Sequence, residues 1–257
     1  MTRIVQLTDT HIYADAAARF DGVDTRASLR AVLAHLHAGP PYDLLVLSGD
    51  LSMDGSRASY AWLAEALAEE SVPVVALPGN HDDPACWAAA DGTGFTPTPT
   101  LLTRGNWRLL MLDTHIDGVA HGALGPGQLA WLERTLAARP AGCCDVLFLH
   151  HPPLAIDSPW IDAMGLRDAA AFWQVLAAAP RPVACIAGHV HQTFDRRHAG
   201  VRVLTTPSTC VQFQPRSAHY AVDARAPGYR VLELCADGRF ATEIVRVPGA
   251  DGQPFDA

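Results

Sequence analysis

Short apolar runs recur along the chain, and each is cut off by a small polar cluster. They lie at residues 4–7, 43–47, 72–77, 107–113, 145–149 and 182–187. Their length and their β-branched content predict buried strands. Between them, apolar residues return every three or four positions. Leu29, Val32, Leu33 and Leu36 form one such stripe over residues 24–38, and Leu129, Leu132 and Leu136 form another over 128–138. Stretches 56–70 and 167–179 read as helices too. The opening β-α-β-α-β alternation predicts an α/β fold with parallel strand pairs. Past residue 200 the pattern changes to strands at 201–205, 229–235 and 240–247 separated by turns. That is an antiparallel signature, so the sheets are expected to be mixed.

The segments without a period read as loops. Residues 92–106 are rich in Thr, Pro and Gly and predict an exposed excursion. Residues 154–166, with Trp160 and Met164, predict a loop. Residues 248–257 read as a polar tail. No internal repeat and no low-complexity linker divides the chain, so residues 1–247 are expected to form one domain.

Composition narrows the class. Hydrophobic residues make up 49% of 257 and charged residues 18%, which places the chain among globular proteins. No apolar run approaches the ~18 residues of a membrane span. The N-terminus enters a strand directly, without a signal-peptide layout, so a cytoplasmic location is expected. The six cysteines form no Cys-x-x-Cys pair, which argues against a zinc ribbon or a thioredoxin-like site. A net charge of −8 disfavours broad contact with a nucleic-acid polymer. It leaves room for a small phosphate ligand if metal ions supply the positive charge.

The polar clusters hold the candidate chemistry. The first strand runs into Thr8-Asp9-Thr10-His11, the second into Ser48-Gly49-Asp50, and the third into Pro78-Gly79-Asn80-His81-Asp82. Two later strands end in His150-His151-Pro152-Pro153 and Gly188-His189-Val190-His191. Residues i and i+2 of an extended segment point the same way, so Asp9 with His11, and His189 with His191, are expected to project together. Adjacent His150 and His151 alternate in direction, so at most one easily reaches a shared site. His115 and His121 read as surface or supporting residues. Five clusters at strand ends can meet at one edge of the sheets. Their pooled donors are too many for one tetrahedral zinc. They suit two ions roughly 3.5–4 Å apart that share a carboxylate, activate a hydroxide and clamp a phosphoryl group.

The ordered motifs Asp-x-His, Gly-Asp, Gly-Asn-His-Asp, His-x-Pro and Gly-His-x-His resemble those of the calcineurin-like metallophosphoesterases, from Asp9 to His191. Residues 188–192, 206–213 and 226–230 are similar to the bacterial class III 3',5'-cyclic-AMP phosphodiesterases. The resemblance implies a four-layer α/β/β/α sandwich of two mixed sheets. It implies Asp9, His11, Asp50 and His191 around one ion and Asp50, Asn80, His150 and His189 around the other, with Asp50 bridging. It also implies that His81 contacts the phosphate or protonates the leaving oxygen, oriented by Asp82, with Asn80 and His191 also facing the substrate. Fe and Mn in some combination are the expected metals, with Zn compatible.

The implied activity is hydrolysis of 3',5'-cyclic AMP, a small phosphodiester, to 5'-AMP by a metal-activated hydroxide. The rival enzyme is a broad diesterase for glycerophosphodiesters or 2',3'-cyclic nucleotides. A nuclease fits the acidic charge poorly, and a non-catalytic metal-binding protein would be free to lose ligands. Phe20, Trp160, Phe213 and Tyr220 are aromatics able to stack a base, though each also suits packing.

Overall fold

The computed structural model describes residues 1–88 and 98–249. The chain begins with β1 (Thr2–Leu7), α1 (Thr25–His37), β2 (Leu44–Ser48), α2 (Arg57–Ala66) and β3 (Val74–Leu77), the alternation that the apolar pattern predicts. A short helix, α3 (Pro84–Ala88), follows. Next come β4 (Thr100–Arg104), β5 (Trp107–Met111), α4 (Gly125–Ala137), β6 (Cys144–Phe148), α5 (Pro159–Asp162), α6 (Ala169–Ala178) and β7 (Ala184–Ala187). The last strands are β8 (Phe194–His198), β9 (Val201–Thr205), β10 (Gln212–Phe213), β11 (Val222–Asp223), β12 (Gly228–Leu234) and β13 (Phe240–Arg246).

These strands build two mixed sheets. The first has the order β13-β12-β1-β2-β3, and the second β4-β5-β6-β7-β9-β8. β1, β2 and β3 are parallel, as are β5, β6, β7 and β9; the outer strands are antiparallel. β10 and β11 form a separate small ribbon.

The alternation of side chains explains the layers. On β2, Leu44 and Val46 face the second sheet, while Leu45 and Leu47 pack under α1 and α2. On β6, Val146 and Phe148 face the first sheet, while Leu147 pairs with the α4 and α6 side. Both faces of each central strand are therefore apolar, as parallel strands covered on two sides require. The result is the four-layer α/β/β/α sandwich. The Asp24 carboxylate caps α1 by accepting from Ala27 N at 3.0 Å, and Ser56 caps α2 in the same way. No helix among the described residues is long and apolar enough to cross a membrane.

Three expectations fail locally. Residues 100–104 are not an excursion but edge strand β4, paired antiparallel with β5. The turn is Gly105-Asn106, a two-residue hairpin link, and Gly105 takes φ +59°. Of that stretch, residues 92–97 lie outside the described residues, as does most of the tail, residues 250–257. β8 carries no apolar alternation in its sequence, because four of its five residues are exposed and it is mostly charged. Inside the expected loop 154–166 a short helix, α5, forms.

Arg108 on β5 stands opposite Asp145 on β6. Its Nε donates to Asp145 Oδ1 at 2.7 Å, and Arg139 lies farther off at 3.5 Å. Asp145 is fully buried. Arg108→Leu leaves that carboxylate without its close partner, so we expect a loss of about 3–5 kcal/mol. Urea unfolding should show the midpoint falling while the slope holds.

Candidate metal centre

The strand ends do not continue as extended chain. Asp9, His11, Asp50, His189 and His191 take φ of 55°, 46°, 51°, 68° and 47°. Left-handed backbone costs an L-residue roughly 1–2 kcal/mol, so five instances at one place mark a strained site. Backbone bonds hold the turns in register. Asp9 N donates to Gly49 O at 2.9 Å, His11 N to Asp50 O at 2.9 Å, and Gly188 N to His150 O at 3.0 Å.

This changes the route by which the candidates converge. Asp9 and His11 come together through a left-handed turn, not by alternation along a strand. His189 and His191 do not face one way at all. The His191 ring lies 5.0 Å from that of His11, whereas the His189 ring lies 5.2 Å from His150 and 4.5 Å from His151. The pair is split between two halves of one cluster.

Donor atoms gather in overlapping groups, each within 4.8 Å: Asp9, His11 and His191; Asp9, Asp50 and His150; His11, Asp50 and His81; His150, His151 and His189. Asp50 Oδ2 is 3.3 Å from His150 Nε2 and 3.8 Å from His11 Nε2. Asp9 Oδ1 is 3.4 Å from His191 Nε2. Both Asp9 oxygens also accept from His189 N, at 3.1 and 3.0 Å, and Asp50 Oδ1 accepts from His81 N at 2.9 Å.

The donor set fits divalent ions. His150 Nδ1 donates to Ser48 O at 2.8 Å and His191 Nδ1 to Val211 O at 2.7 Å. A carbonyl only accepts, so each Nδ1 carries a proton and each Nε2 is the nitrogen turned to the cluster, free to offer a lone pair in the neutral ring. Asn80 Oδ1, His150 Nε2 and both His189 ring nitrogens are buried without a hydrogen-bond partner. Orphaned buried polar atoms are costly unless something absent from the chain satisfies them.

Charge states agree. Burial above all pushes His11 and His189 down to about 3, with neighbouring imidazoles adding to it. Both imidazoles are neutral at physiological pH. Burial opposes the charge of Asp50, yet His150, then His11 and His81, outweigh it and hold the carboxyl well below its usual range. Asp9 is lowered in the same sense by His191 and His150 against burial. Burial likewise opposes protonation of His150, but Asp50 and Asp9 raise it to about 9. A positive charge is wanted at that position.

His81 sits exposed at the rim, its ring 5.0 Å from that of His11 and its Nδ1 3.3 Å from Met53 O. The expected orientation of His81 by Asp82 is not found. The buried Asp82 carboxylate instead accepts from Gly79 N at 2.8 Å, Leu51 N at 3.1 Å, Ser52 N at 3.0 Å and Tyr60 Oη at 3.0 Å. It ties the loop after β3 to the loop after β2. The reason is local geometry: Gly79, Leu51 and Ser52 offer three otherwise orphaned N–H groups, which a buried carboxylate satisfies better than one exposed ring can.

Other supports carry little sequence signal. Phe213 stacks on His191 at 4.0 Å and 10°, Ser208 Oγ donates to Asp9 O at 2.7 Å, and His115 Nδ1 bonds Gly79 O at 2.8 Å. His151, read as a surplus histidine, is fully buried against His150 and His189, its Nδ1 2.8 Å from Thr114 Oγ1. His121 is in none of the donor groups. Glycine is required where backbone meets ligand: a Cβ on Gly79 would strike Asp50, and one on Gly188 would strike Thr8 and Asp9.

Asp82→Ala removes the acceptor for three buried N–H groups, each worth about 1–3 kcal/mol when stranded. We expect a lower unfolding midpoint together with weaker metal retention, measured by calorimetry and metal analysis. Unchanged stability would return Asp82 to a role confined to His81.

Residues 2–193 match the family described as calcineurin-like phosphoesterase. The chain is 42% identical over 260 residues to the 3',5'-cyclic adenosine monophosphate phosphodiesterase CpdA of Escherichia coli (strain K12), covering 99% of this chain and 93% of the relative. It is 37% identical over 249 residues to a 3',5'-cyclic-nucleotide phosphodiesterase of Nostoc sp., covering 95% and 92%. Among solved structures, a dimetal phosphatase from Danio rerio superposes with a TM-score of 0.64 at 16% identity, covering 96% of this chain and 98% of that one. That last likeness concerns the fold alone. The His/Asp cluster and the family point alike to divalent metal ions. The chain belongs to the calcineurin-like phosphoesterase family.

Proposed function

We propose that the chain is a dinuclear-metal phosphodiesterase that hydrolyses 3',5'-cyclic AMP to 5'-AMP. The observation that carries the metal part is the position of Asp50, whose Oδ2 faces Nε2 of His11 on one side and Nε2 of His150 on the other. In this reading Asp50 is shared. Asp9, His11 and His191 complete one site, and Asn80, His150 and His189 the other. Fe and Mn in some combination suit these mixed carboxylate, amide and imidazole donors, and Zn is compatible. The substrate part is supported by the names of relatives that match over nearly the whole chain.

Two ions held there would supply an activated water and positive charge for the phosphoryl oxygens. The chain's own residues do the rest. Asn80, His81 and His191 are the assigned substrate contacts. The water oxygen joins phosphorus, the bond from phosphorus to the 3' oxygen breaks, and that oxygen gains a proton. His81, exposed at the rim beside His11, is assigned the delivery of that proton. A small phosphodiester suits the net charge of −8 better than a nucleic-acid polymer does. The six cysteines are all free thiols, which favours a reducing compartment such as the cytoplasm. Residues 1–247 are read as one domain, because β12 and β13 return to pair beside β1.

The deciding experiment is a substrate panel on Mn-reconstituted protein, with 3',5'-cyclic AMP, 2',3'-cyclic AMP and glycerophosphodiesters side by side. Cyclic AMP should lead in kcat/KM; glycerophosphodiesters turned over far faster would transfer the assignment to a broad diesterase. In ¹⁸O water the label should appear on the phosphate of 5'-AMP and not on the ribose.

Asp50→Ala should empty both metal sites and abolish turnover, checked by metal analysis of the purified variant. Two ions retained per chain would refute the bridge. His81→Ala should keep its metal and lose about 10²–10⁴-fold in kcat. The loss should shrink for nitrophenyl diesters, whose leaving group needs no proton. An equal loss on both substrate types would rule out the acid role.

A further inference from the structure

We propose that Phe20 and Tyr220 form the face on which the base of a cyclic nucleotide stacks, at the His11–His191 side of the metal centre. This rests on the phosphodiesterase reading and names a part of the substrate that metal coordination does not touch.

Four aromatic rings from separate segments converge there. Phe20 lies in the loop between β1 and α1, Trp160 on α5, Phe213 on β10, and Tyr220 in the loop between β10 and β11. The Phe20 ring is 5.0 Å from that of His11 and 6.0 Å from that of His191. Phe213 lies edge-on to Phe20 at 6.4 Å, to Trp160 at 5.1 Å and to Tyr220 at 5.3 Å. Trp160 and Tyr220 meet edge-on at 5.2 Å.

The rings divide into a backing and a face. Phe213 is 6% exposed, and one side of it is taken by its stack on His191. It positions that imidazole and supports its neighbours. Phe20 is partly exposed, and Tyr220 is 48% exposed, one of the few large hydrophobic side chains so open to solvent. The Tyr220 hydroxyl donates to Asp21 Oδ2, which joins the two loops and holds the ring in place. Packing alone does not explain a half-exposed tyrosine tethered to Asp21, the residue after a partly exposed phenylalanine.

Continuity with the metal centre selects the occupant. A phosphate bound between the two halves of the cluster stands next to His11 and His191. The ring attached through the ribose then reaches the neighbouring aromatics. A planar base stacks on such side chains whatever its hydrogen-bonding edge. A glycerol or choline arm has no flat face to offer.

The test uses metal-loaded protein and three variants. The probe is 5'-AMP, with ribose 5-phosphate as the ring-free control. Adding 5'-AMP should quench tryptophan emission, and Trp160→Phe should remove that quench. Tyr220→Ala should weaken 5'-AMP binding about 5- to 100-fold, the range expected for losing one stacking partner. It should lower the kcat/KM ratio of cyclic AMP to glycerophosphoethanolamine by a similar factor, and Tyr220→Phe, which keeps the ring but loses its tie to Asp21, should recover part of both. Tyr220 is exposed, so its replacement leaves the core intact. The inference is overturned if Tyr220→Ala binds 5'-AMP as the wild type does, or if ribose 5-phosphate binds the wild type as tightly as 5'-AMP. A wild type that prefers glycerophosphodiesters would defeat the substrate assignment, whereas 5'-AMP binding decides the stacking face separately.

Discussion

Two carboxylates, Asp9 and Asp50, are held out of water within reach of the same histidine. Like charges at that distance repel, and burial denies them the solvation that would offset it. The arrangement persists because positive and partial-positive groups surround it. His150 stands near both, and the backbone N–H groups of His189 and His81 point at them. Most of the local structure serves that balance. The left-handed turns present backbone N–H groups to the carboxylates, and the glycines leave room for them. The carbonyls of Ser48 and Val211 fix the imidazoles with their Nε2 atoms inward. Divalent ions would complete the same balance, since the preassembled donors include buried atoms that no protein group satisfies.

The centre also straddles a seam. Asp9, His11, Asp50 and Asn80 follow β1, β2 and β3 of the first sheet. His150, His189 and His191 follow β6 and β7 of the second. Both candidate carboxylates therefore come from one sheet, and the other contributes only imidazoles. Their relative placement depends on the apolar layer between the sheets, where Ile4, Leu44, Val46 and Leu77 meet Leu109, Met111, Val146, Phe148 and Ile186. That layer is dry and close-packed, so it transmits a fixed spacing. Precision at the metal centre is in this sense a property of residues that never touch it.

The sequence made some of this legible and hid the rest for physical reasons. Apolar runs ending in Asp, Asn and His mark buried strands and the polar edge beyond them, and burial of both strand faces makes that signal strong. The halves of the cluster were not readable from spacing, because left-handed φ at Asp9, His11, His189 and His191 breaks the two-residue alternation. The family resemblance implies Asp82 as a partner for His81. The observed partners of Asp82 are the backbone N–H groups of Gly79, Leu51 and Ser52 and the Tyr60 hydroxyl, and all but Gly79 are remote in sequence. β4 was hidden by Thr and Pro, although Gly105-Asn106 was a usable hairpin signal. β8 carries too many charges for its pairing to be visible.

The same contrast separates the two ends of the proposed substrate. Metal ligands must be particular residue types at strand ends, so the phosphate end is written in short motifs. A stacking face needs only flat rings at roughly the right place, supplied by loops with no period. Phe20 and Tyr220 come from segments some 200 positions apart, joined by the hydrogen bond from Tyr220 to Asp21 and by Phe213, which touches both rings. Such loops touch the imidazoles of His11 and His191 through Phe20 and Phe213, but they contribute no residue to the apolar layer that spaces the two sheets. The centre can then keep one chemistry while the rim decides which diesters profit from it. On the proposed reading, preference for a base belongs to the part of the chain with the weakest sequence pattern, and the reaction to the part with the strongest.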